Sequence, residues 1–306
     1  MSTPKRSLGS SSLQRLYHGR SYTRRRVVIG VLILIPMSLL AMYFILPLFW
    51  LLVSTSKSTD QLFNTPMFAP SSLSGLVTNL RDLGQKEGGA YWRWYLNSII
   101  YSTLTAGLGT LISALAGYSL SKYEFKLRGA VRFMVLVALL LPAATLTIPV
   151  FLLIKSLGLM DTYVAVILPL LASPFGVYFM NVYVGETMPN ELIDSGRIDG
   201  ASDYQIFRRI AVPIIGPGLV TLFLISFISS WNNFFLPLLV LSSSKLFPAT
   251  LGLQMWVSKL ISPATGIPPY PLIILGSALS VLPMAVLFPF LRKHIAAGIA
   301  TGSIKA

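Results

Sequence analysis

Cysteine is absent from this 306-residue chain, which excludes a disulfide framework, a thiolate nucleophile and a Cys-ligated zinc site. Charge is scarce too: Asp, Glu, Lys and Arg make up 11% of the residues, under half of the roughly 25% in an ordinary soluble domain. The two histidines, His18 and His294, lie in the terminal segments, so there is no metal-binding pair and no base beside a nucleophile. No lysine follows a glycine, and a P-loop needs that Gly-Lys to bring an amine to the phosphates. The long apolar runs contain no Asp, Glu, Lys or Arg, whereas ion-coupled transporters place ionisable relays at membrane depth. The chain reads as a non-enzyme with no metal or cofactor of its own. Any uphill transport must draw its energy from a partner.

What the chain does have is apolar length: 54% of its residues are hydrophobic and the mean hydropathy is +0.71. Uncharged runs at 27–56, 94–121, 133–154, 162–185, 210–244 and 260–291 each exceed the roughly 18 residues of a spanning helix. Trimmed of Pro-, Gly- and Ser-rich flanks, they predict an all-α membrane protein with six transmembrane helices near 27–53, 96–119, 131–154, 163–184, 214–241 and 271–291. The uncharged run 246–258 is too short to cross. The first run is longer than the apolar core of a signal peptide and no small-residue cleavage site follows it, so it is expected to remain as an anchor. Gly109, Ser113 and Gly117 recur at helical spacing in the second span, where small residues let a neighbouring backbone approach. Pro36, Pro47, Pro142, Pro149, Pro169, Pro174, Pro237 and Pro283 predict kinked helices.

The net charge of +14 sits at membrane edges, which points to anionic lipid and not to nucleic acid. With six crossings, the segments 1–26, 122–132 and 186–209 and the C-terminus share one side and hold 17 of the 24 Lys and Arg, against 7 in the loops 54–93, 155–161 and 242–270. Basic residues concentrate on the cytoplasmic side, so both termini and the 186–209 loop are expected there. The chain thus divides into a basic tail 1–26, a six-helix transmembrane body 27–291 with outer loops 54–95 and 242–270 and a cytoplasmic loop 186–213, and a tail 292–306.

The cytoplasmic loop reads DSGRIDGASDYQIFRRIAVP over 194–213. Asn190 can cap a helix over 191–199, and Glu191 suits its N-terminal dipole. Gly200 suits a left-handed turn, and Ser202-Asp203-Tyr204-Gln205 is a capping box that opens a second helix. Ile206, Phe207 and Ile210 share one side of that helix, and Pro213 fits the start of the next span. A merely solvated connector needs neither that apolar triplet nor Gly196, which costs a helix interior about 1 kcal/mol relative to Ala.

Asp194-Ser195-Gly196, then three residues to Gly200 and nine to Ile210-Ala211-Val212-Pro213, resembles the "EAA" loop of permease subunits of binding-protein-dependent ABC importers, of the maltose-type sugar class. The triplet departs from Glu-Ala-Ala at every position, while the spacing matches throughout. Asn97-Ser98, GYSLSKYEFKLRG (117–129), LLPAATLTIPVF (140–151), LGLMDTY (157–163), SWNNFFLPL (230–238) and the tail residues Gly298, Gly302 and Lys305 also look like this family's pattern. The resemblance implies a type I ABC importer transmembrane fold in a bacterial or archaeal inner membrane. It implies a second, related permease subunit, two ATP-binding cassette subunits that carry ATP and Mg, and an extracytoplasmic solute-binding protein. Residues Glu191, Asp194, Ser195, Gly196, Arg197, Asp199, Gly200, Ala201, Phe207, Ile210 and Pro213 would then dock on the ATPase, with Gly298, Gly302 and Lys305 touching it from the tail. Lys122 is read as an exposed loop lysine.

For the solute, Trp231, Asn232 and Asn233 offer an aromatic platform and two amides, the groups that stack on and hydrogen-bond to sugars; the competing reading is helix packing. Charge-free spans favour a neutral carbohydrate, with a polyol or glycerol-phosphate compound as the alternative. A secondary transporter would need an internal repeat or a midplane coupling site, and the sequence displays neither. The outer loop 242–270 is expected to meet the binding protein. From the basic asymmetry, a cytoplasm-only reporter fused after Arg128 or Arg209 should be active and one near Lys86 or Lys259 silent. Activity at Lys86 would overturn both span count and orientation.

Overall fold

The computed structural model describes the backbone of residues 11–261 and 269–302, and the side chains of 29–142, 144–260 and 269–290. Every regular element among them is helical. In order these are α1 (Ser11–Ser54), α2 (Thr59–Asn64), α3 (Leu73–Gln85), α4 (Ala90–Lys122), α5 (Arg128–Leu140), α6 (Ala143–Ser156), α7 (Tyr163–Leu171), α8 (Pro174–Thr187), α9 (Glu191–Ile198), α10 (Asp203–Ile206), α11 (Val212–Trp231), α12 (Phe235–Val240), α13 (Ala249–Ile261) and α14 (Tyr270–Gly302). Five stretches are long and apolar enough to cross a membrane: 29–54, 90–122, 163–187, 203–231 and 270–290.

The third predicted span is not one helix. α5 and α6 meet at a bend of 109°, correcting the continuous helix expected over 131–154. Pro142 lacks an N–H and forces the residue before it out of the helical region, and Leu141 accordingly sits at φ −76, ψ 125. Proline also divides the fourth span, where Ser173 accepts from Gly176 N–H at 3.0 Å and Pro174 opens α8. The helix expected over 214–241 ends at Trp231 instead. Continued helix would drive the Pro237 ring into the carbonyl of Asn233; that carbonyl instead accepts from Thr250 Oγ1 at 3.1 Å.

α4 is the central post. It packs along α8 and α11, and also against α7 and α13. Its small residues face α7 and α8, as their spacing predicts: a Cβ on Gly117 would lie 2.6 Å from Met180 Cβ and 2.7 Å from Asn181 N. At the other end, α4 holds the 244–249 segment by side chains. Asn97 Nδ2 donates to Lys245 O at 2.9 Å and Phe247 O at 3.0 Å, Tyr101 donates to Leu246 O at 2.9 Å, and Ser98 Oγ accepts from Ala249 N–H at 2.8 Å. Asp161, at φ 56, fastens the neighbouring turn by accepting from Ser242 and Ser243 N–H at 2.9 and 2.8 Å. The non-crossing 246–258 run thus becomes α13, pinned where Trp256 packs on Trp94 with ring centroids 4.9 Å apart. From Ile29 to Val53 none of the α1 side chains is buried, and α1 packs on α14.

Gly107, on the same helix as Gly117, has nothing within 4 Å of a notional Cβ. Gly117→Ala should therefore lower the thermal midpoint of the detergent-solubilised protein by an overpacking cost of about 1–3 kcal/mol. Gly107→Ala should be neutral or raise the midpoint slightly, because Ala outranks Gly in a helix by about 1 kcal/mol. Equal responses would remove the close approach as the cause.

Candidate functional site

The loop between the fourth and fifth spans folds as a compact helical corner. α9 ends in a Schellman motif: Gly200 stands at φ +77, its N–H donates to Arg197 O at 3.0 Å, and Ala201 N–H donates to Gly196 O at 2.9 Å. Ser202 and Gln205 form a complete capping box. The second helix does not stop at Pro213. It runs on through a π turn, Phe207–Ala211, into α11, with Val212 N–H donating to Phe207 O. The wider turn lets the chain pass Pro213, which has no N–H for an ordinary helical bond.

Three of the residues expected to dock point inward. Gly196 is buried, and a Cβ there would meet Ile206 Cγ1 and Ile210 Cδ1 at 3.1 Å. Phe207 packs edge-on to Tyr118 at 5.1 Å, and Ile210 joins it against a core of Ile193, Ile206, Tyr118, Met180 and Ile215. The glycine therefore serves the contact between the two loop helices, and the apolar triplet anchors the corner to α4, α8 and α11. Gly196, Phe207 and Ile210, expected among the docking residues, thus face the corner's own core.

The outward face carries Glu191, Asp194, Ser195, Arg197, Asp199 and Gly200, with Ala201 half-buried and Pro213 exposed at the start of α11. Two residues not anticipated join it: Ile198, 86% exposed, and Tyr204, 67% exposed. Ile198 follows Ile193 by five residues and so falls off the inward stripe of α9, a signal legible in the sequence. Arg197 braces the corner, 3.3 Å from Asp203 Oδ1 and over the Tyr123 ring at 5.8 Å. Burial pushes the Tyr123 phenol up, with its hydrogen bond to Asp203 adding to the shift.

Asn190 does not cap α9; its backbone is already helical at φ −68, ψ −27. Its Oδ1 instead accepts from Lys122 Nζ at 3.0 Å, and the same amine donates to Met188 O. Lys122 is therefore half-buried, a correction to the exposed lysine expected. Nearby, Arg128 donates to Leu120 O and Ser121 O, both at 2.9 Å, and Arg132 Nη2 donates to Leu120 O at 2.7 Å. The last carbonyls of a helix lack intrahelical partners, and here three cations satisfy those of α4 and α8.

Near the middle of α4, a cavity of about 240 Å³ lies between α4, the α7–α8 break and α11. Thr105, Ser173, Ser226, Ser229 and Ser230 line it alongside Gly109, Leu170, Phe175 and Ile225. The Thr105 and Ser230 hydroxyls are buried and bond to no other group among the described residues. Trp231 is not beside them as a platform: it is 3% exposed, stacked on Phe227 at 5.9 Å, edge-on to Tyr95 at 5.6 Å, and donates to Ser280 O at 3.2 Å. Of the two readings of Trp231, this enclosure is the helix-packing one. Asn232 is exposed and donates to Ile228 O at 2.9 Å, finishing α11, while Asn233 is half-buried. The serine cluster went unread because scattered hydroxyls carry no spacing signature. Gly298 and Gly302 fall in the last turns of the α14 backbone, and Lys305 lies outside the described residues.

These features define a multi-pass helical membrane protein whose interior spans enclose an uncharged polar cavity and whose loop between the fourth and fifth spans folds as a helical corner packed on the same spans. Residues 109–301 match the binding-protein-dependent transport system inner membrane component family, and the chain belongs to it: a permease subunit of an ABC importer, working with other subunits and not itself an enzyme. It is 34% identical over 281 residues to the arabinooligosaccharides transport system permease protein AraQ of Halalkalibacterium halodurans, covering 91% of this chain and 97% of that one. It is 30% identical over 269 residues to the lactose transport system permease protein LacG of Rhizobium radiobacter, covering 88% and 94%. The fold is that of a chain in the crystal structure of a bacterial ABC transporter involved in the import of the acidic polysaccharide alginate, with TM-score 0.77, 20% identity, and coverage of 95% of this chain and 99% of that one.

Because Lys122 holds Met188 O, on a buried residue, Lys122→Ala should cost about 1–3 kcal/mol, the penalty for leaving a buried acceptor unpaired. Lys126→Ala, exposed on the same loop, should stay within about 0.5 kcal/mol. Thermal midpoints of the two purified variants compare them directly.

Proposed function

We propose that this chain forms half of the path of an ATP-driven carbohydrate importer and that its 186–213 corner docks on a separate cytoplasmic ATPase, which carries the ATP and Mg. One observation supports this reading above others: corner and cavity share the same three helices. Ala114 and Tyr118 of α4, Met180 and Val184 of α8, and Ile215 and Leu222 of α11 hold the corner's core. Thr105 and Gly109, Phe175, and Ser226 and Ser230 of those same helices line the cavity. A push on α9 therefore moves helices that bound the solute's space, without any relay of charge.

The cavity's hydroxyls and lack of charge suit a neutral polyhydroxyl solute, in keeping with the arabinooligosaccharide and lactose systems of its relatives. Outward Asp194, Asp199, Ile198 and Tyr204 give the docking face both charge and apolar contact, and Gly298, Gly302 and Lys305 extend it from the tail. A related second permease subunit completes the path, and the chain's termini face the cytoplasm of a bacterial or archaeal inner membrane. At the opposite end, the 54–95 and 242–270 loops receive an extracytoplasmic solute-binding protein.

Vesicles reconstituted with the whole importer test both halves. Val at position 200 would have to adopt φ near +77, which is costly for a β-branched side chain. Gly200→Val should therefore lose the ATPase on purification, or hydrolyse ATP without moving arabino- or galacto-oligosaccharides. Parental uptake in Gly200→Val would refute coupling through the corner. Unchanged carbohydrate uptake in a Thr105→Val, Ser230→Ala double variant would remove the cavity from the path.

A further inference from the structure

A second, larger cavity, of about 540 Å³, lies away from the hydroxyl-lined one, between the ends of α4 and α8 and the start of α5. Its inner wall is polar: Lys122 and Arg132, Asn181 and Asn190, and Ser121. Its outer wall is apolar: Leu136 of α5 and Tyr178 and Val182 of α8, all exposed. That wall continues outward along α5 into Phe133, Val137 and Leu140, also exposed. Cations sit at the deep end of an opening whose mouth lies on the faces of two apolar segments.

The cations have donors to spare. Arg132 spends Nη2 on Leu120 O at 2.7 Å and Asn181 Oδ1 at 3.4 Å, while its Nε is buried without a partner. A buried guanidinium N–H left unpaired is costly, and an anion in the cavity would satisfy it. Lys122 Nζ has two acceptors, Met188 O and Asn190 Oδ1, and three N–H groups to donate. Glu186 is the one acid on the lining, and it is exposed at the rim. Arg128, just behind, pairs with Glu124 at 4.0 Å, and Glu191 faces Lys122 from the side of α9. On the lining itself the two cations outnumber the one acid, where apolar spans give way to polar loop, the setting in which basic pockets between membrane helices take acidic headgroups.

The geometry points to a binding site for an anionic phospholipid: phosphate on Arg132 and Lys122, acyl chains along Leu136, Tyr178 and Val182. Such a lipid would sit directly behind Met188 and Asn190, at the root of α9. This inference does not depend on which solute is carried.

The test counts lipid retained by the full chain with its co-purifying subunits, using native mass spectrometry after extraction from vesicles of phosphatidylcholine with graded phosphatidylglycerol. Arg132→Gln removes the orphan donor. Gly185→Phe fills the cavity and leaves every cation in place; Gly185 lines it and a Cβ there meets only Ser121 Oγ, at 3.5 Å. Both variants should retain phosphatidylglycerol about fivefold less than the parent, the scale of one basic contact at a membrane surface, and Arg132→Lys should recover most of it. Phosphatidylcholine retention should not change. Equal phosphatidylglycerol retention in parent and both variants would overturn the site. Displacement of the lipid by millimolar glycerol 3-phosphate or inorganic phosphate would assign the cavity to a soluble phosphate and overturn the lipid.

Discussion

The close approach of α4 to α8 is the constraint on which the rest of this structure depends. Lipid tails are as apolar as leucine, so helices in a bilayer are not driven together by burial and must be held by atomic contact and hydrogen bonds. Gly117 brings α4 within contact of the Met180–Asn181 backbone, and Ser113 sits against Gly176 about one turn away. With those two helices in contact, α11 can close on both. The core that receives Ile193 and Ile206 exists only because three helices meet there. Side chains larger than hydrogen at 117 or 176 would open the groove in which the loop corner is seated.

The two ends of α4 are secured by different chemistry. At the start, neutral amides, hydroxyls and indoles reach backbone carbonyls of the 244–247 segment: Trp94 Nε1 to Ser244 O at 2.8 Å, and Asn97 to Lys245 O and Phe247 O. Tyr163 donates in turn to Asn97 Oδ1 at 2.8 Å, which orients the amide. At the finish, Lys122, Arg128 and Arg132 reach the carbonyls of Leu120, Ser121 and Met188. Cations suit a helix C-terminus because the dipole is negative there. Three of the basic residues that a topology argument counts as membrane-edge charge are, in the folded protein, the caps of two helices.

Proline marks three of the breaks. Pro142, Pro174 and Pro237 each remove a donor at or just after a break, whereas Pro36, Pro47, Pro149, Pro169, Pro217 and Pro283 lie inside continuous helices. Pro213 is absorbed by a π turn instead, because the corner's core holds the chain on both sides of it. The Pro174 break has a consequence for chemistry: it turns Ser173 and Phe175 toward α4 and α11 and so helps enclose the hydroxyl-lined cavity. Backbone irregularity at membrane depth is tolerated where protein or a polar cavity, and not lipid, surrounds it.

By itself the sequence determined the six apolar segments, the Gly200 turn, the Ser202 capping box and the small-residue face of α4, because each rests on local geometry or on composition over a span's length. The family's spacing from Asp194 to Pro213 was equally legible, being a matter of residues in one short stretch. Tertiary structure alone decided which loop residues face outward. Gly196, Phe207 and Ile210 look like contact residues in sequence, but the nearest apolar surface available to them is the chain's own core. It also decided that Trp231 is enclosed by Phe227 and Tyr95, and that Thr105, Ser173, Ser226 and Ser230, spread over 126 residues of sequence, share one cavity. Contacts between helices far apart in the chain leave no period and no motif, and only packing brings them together.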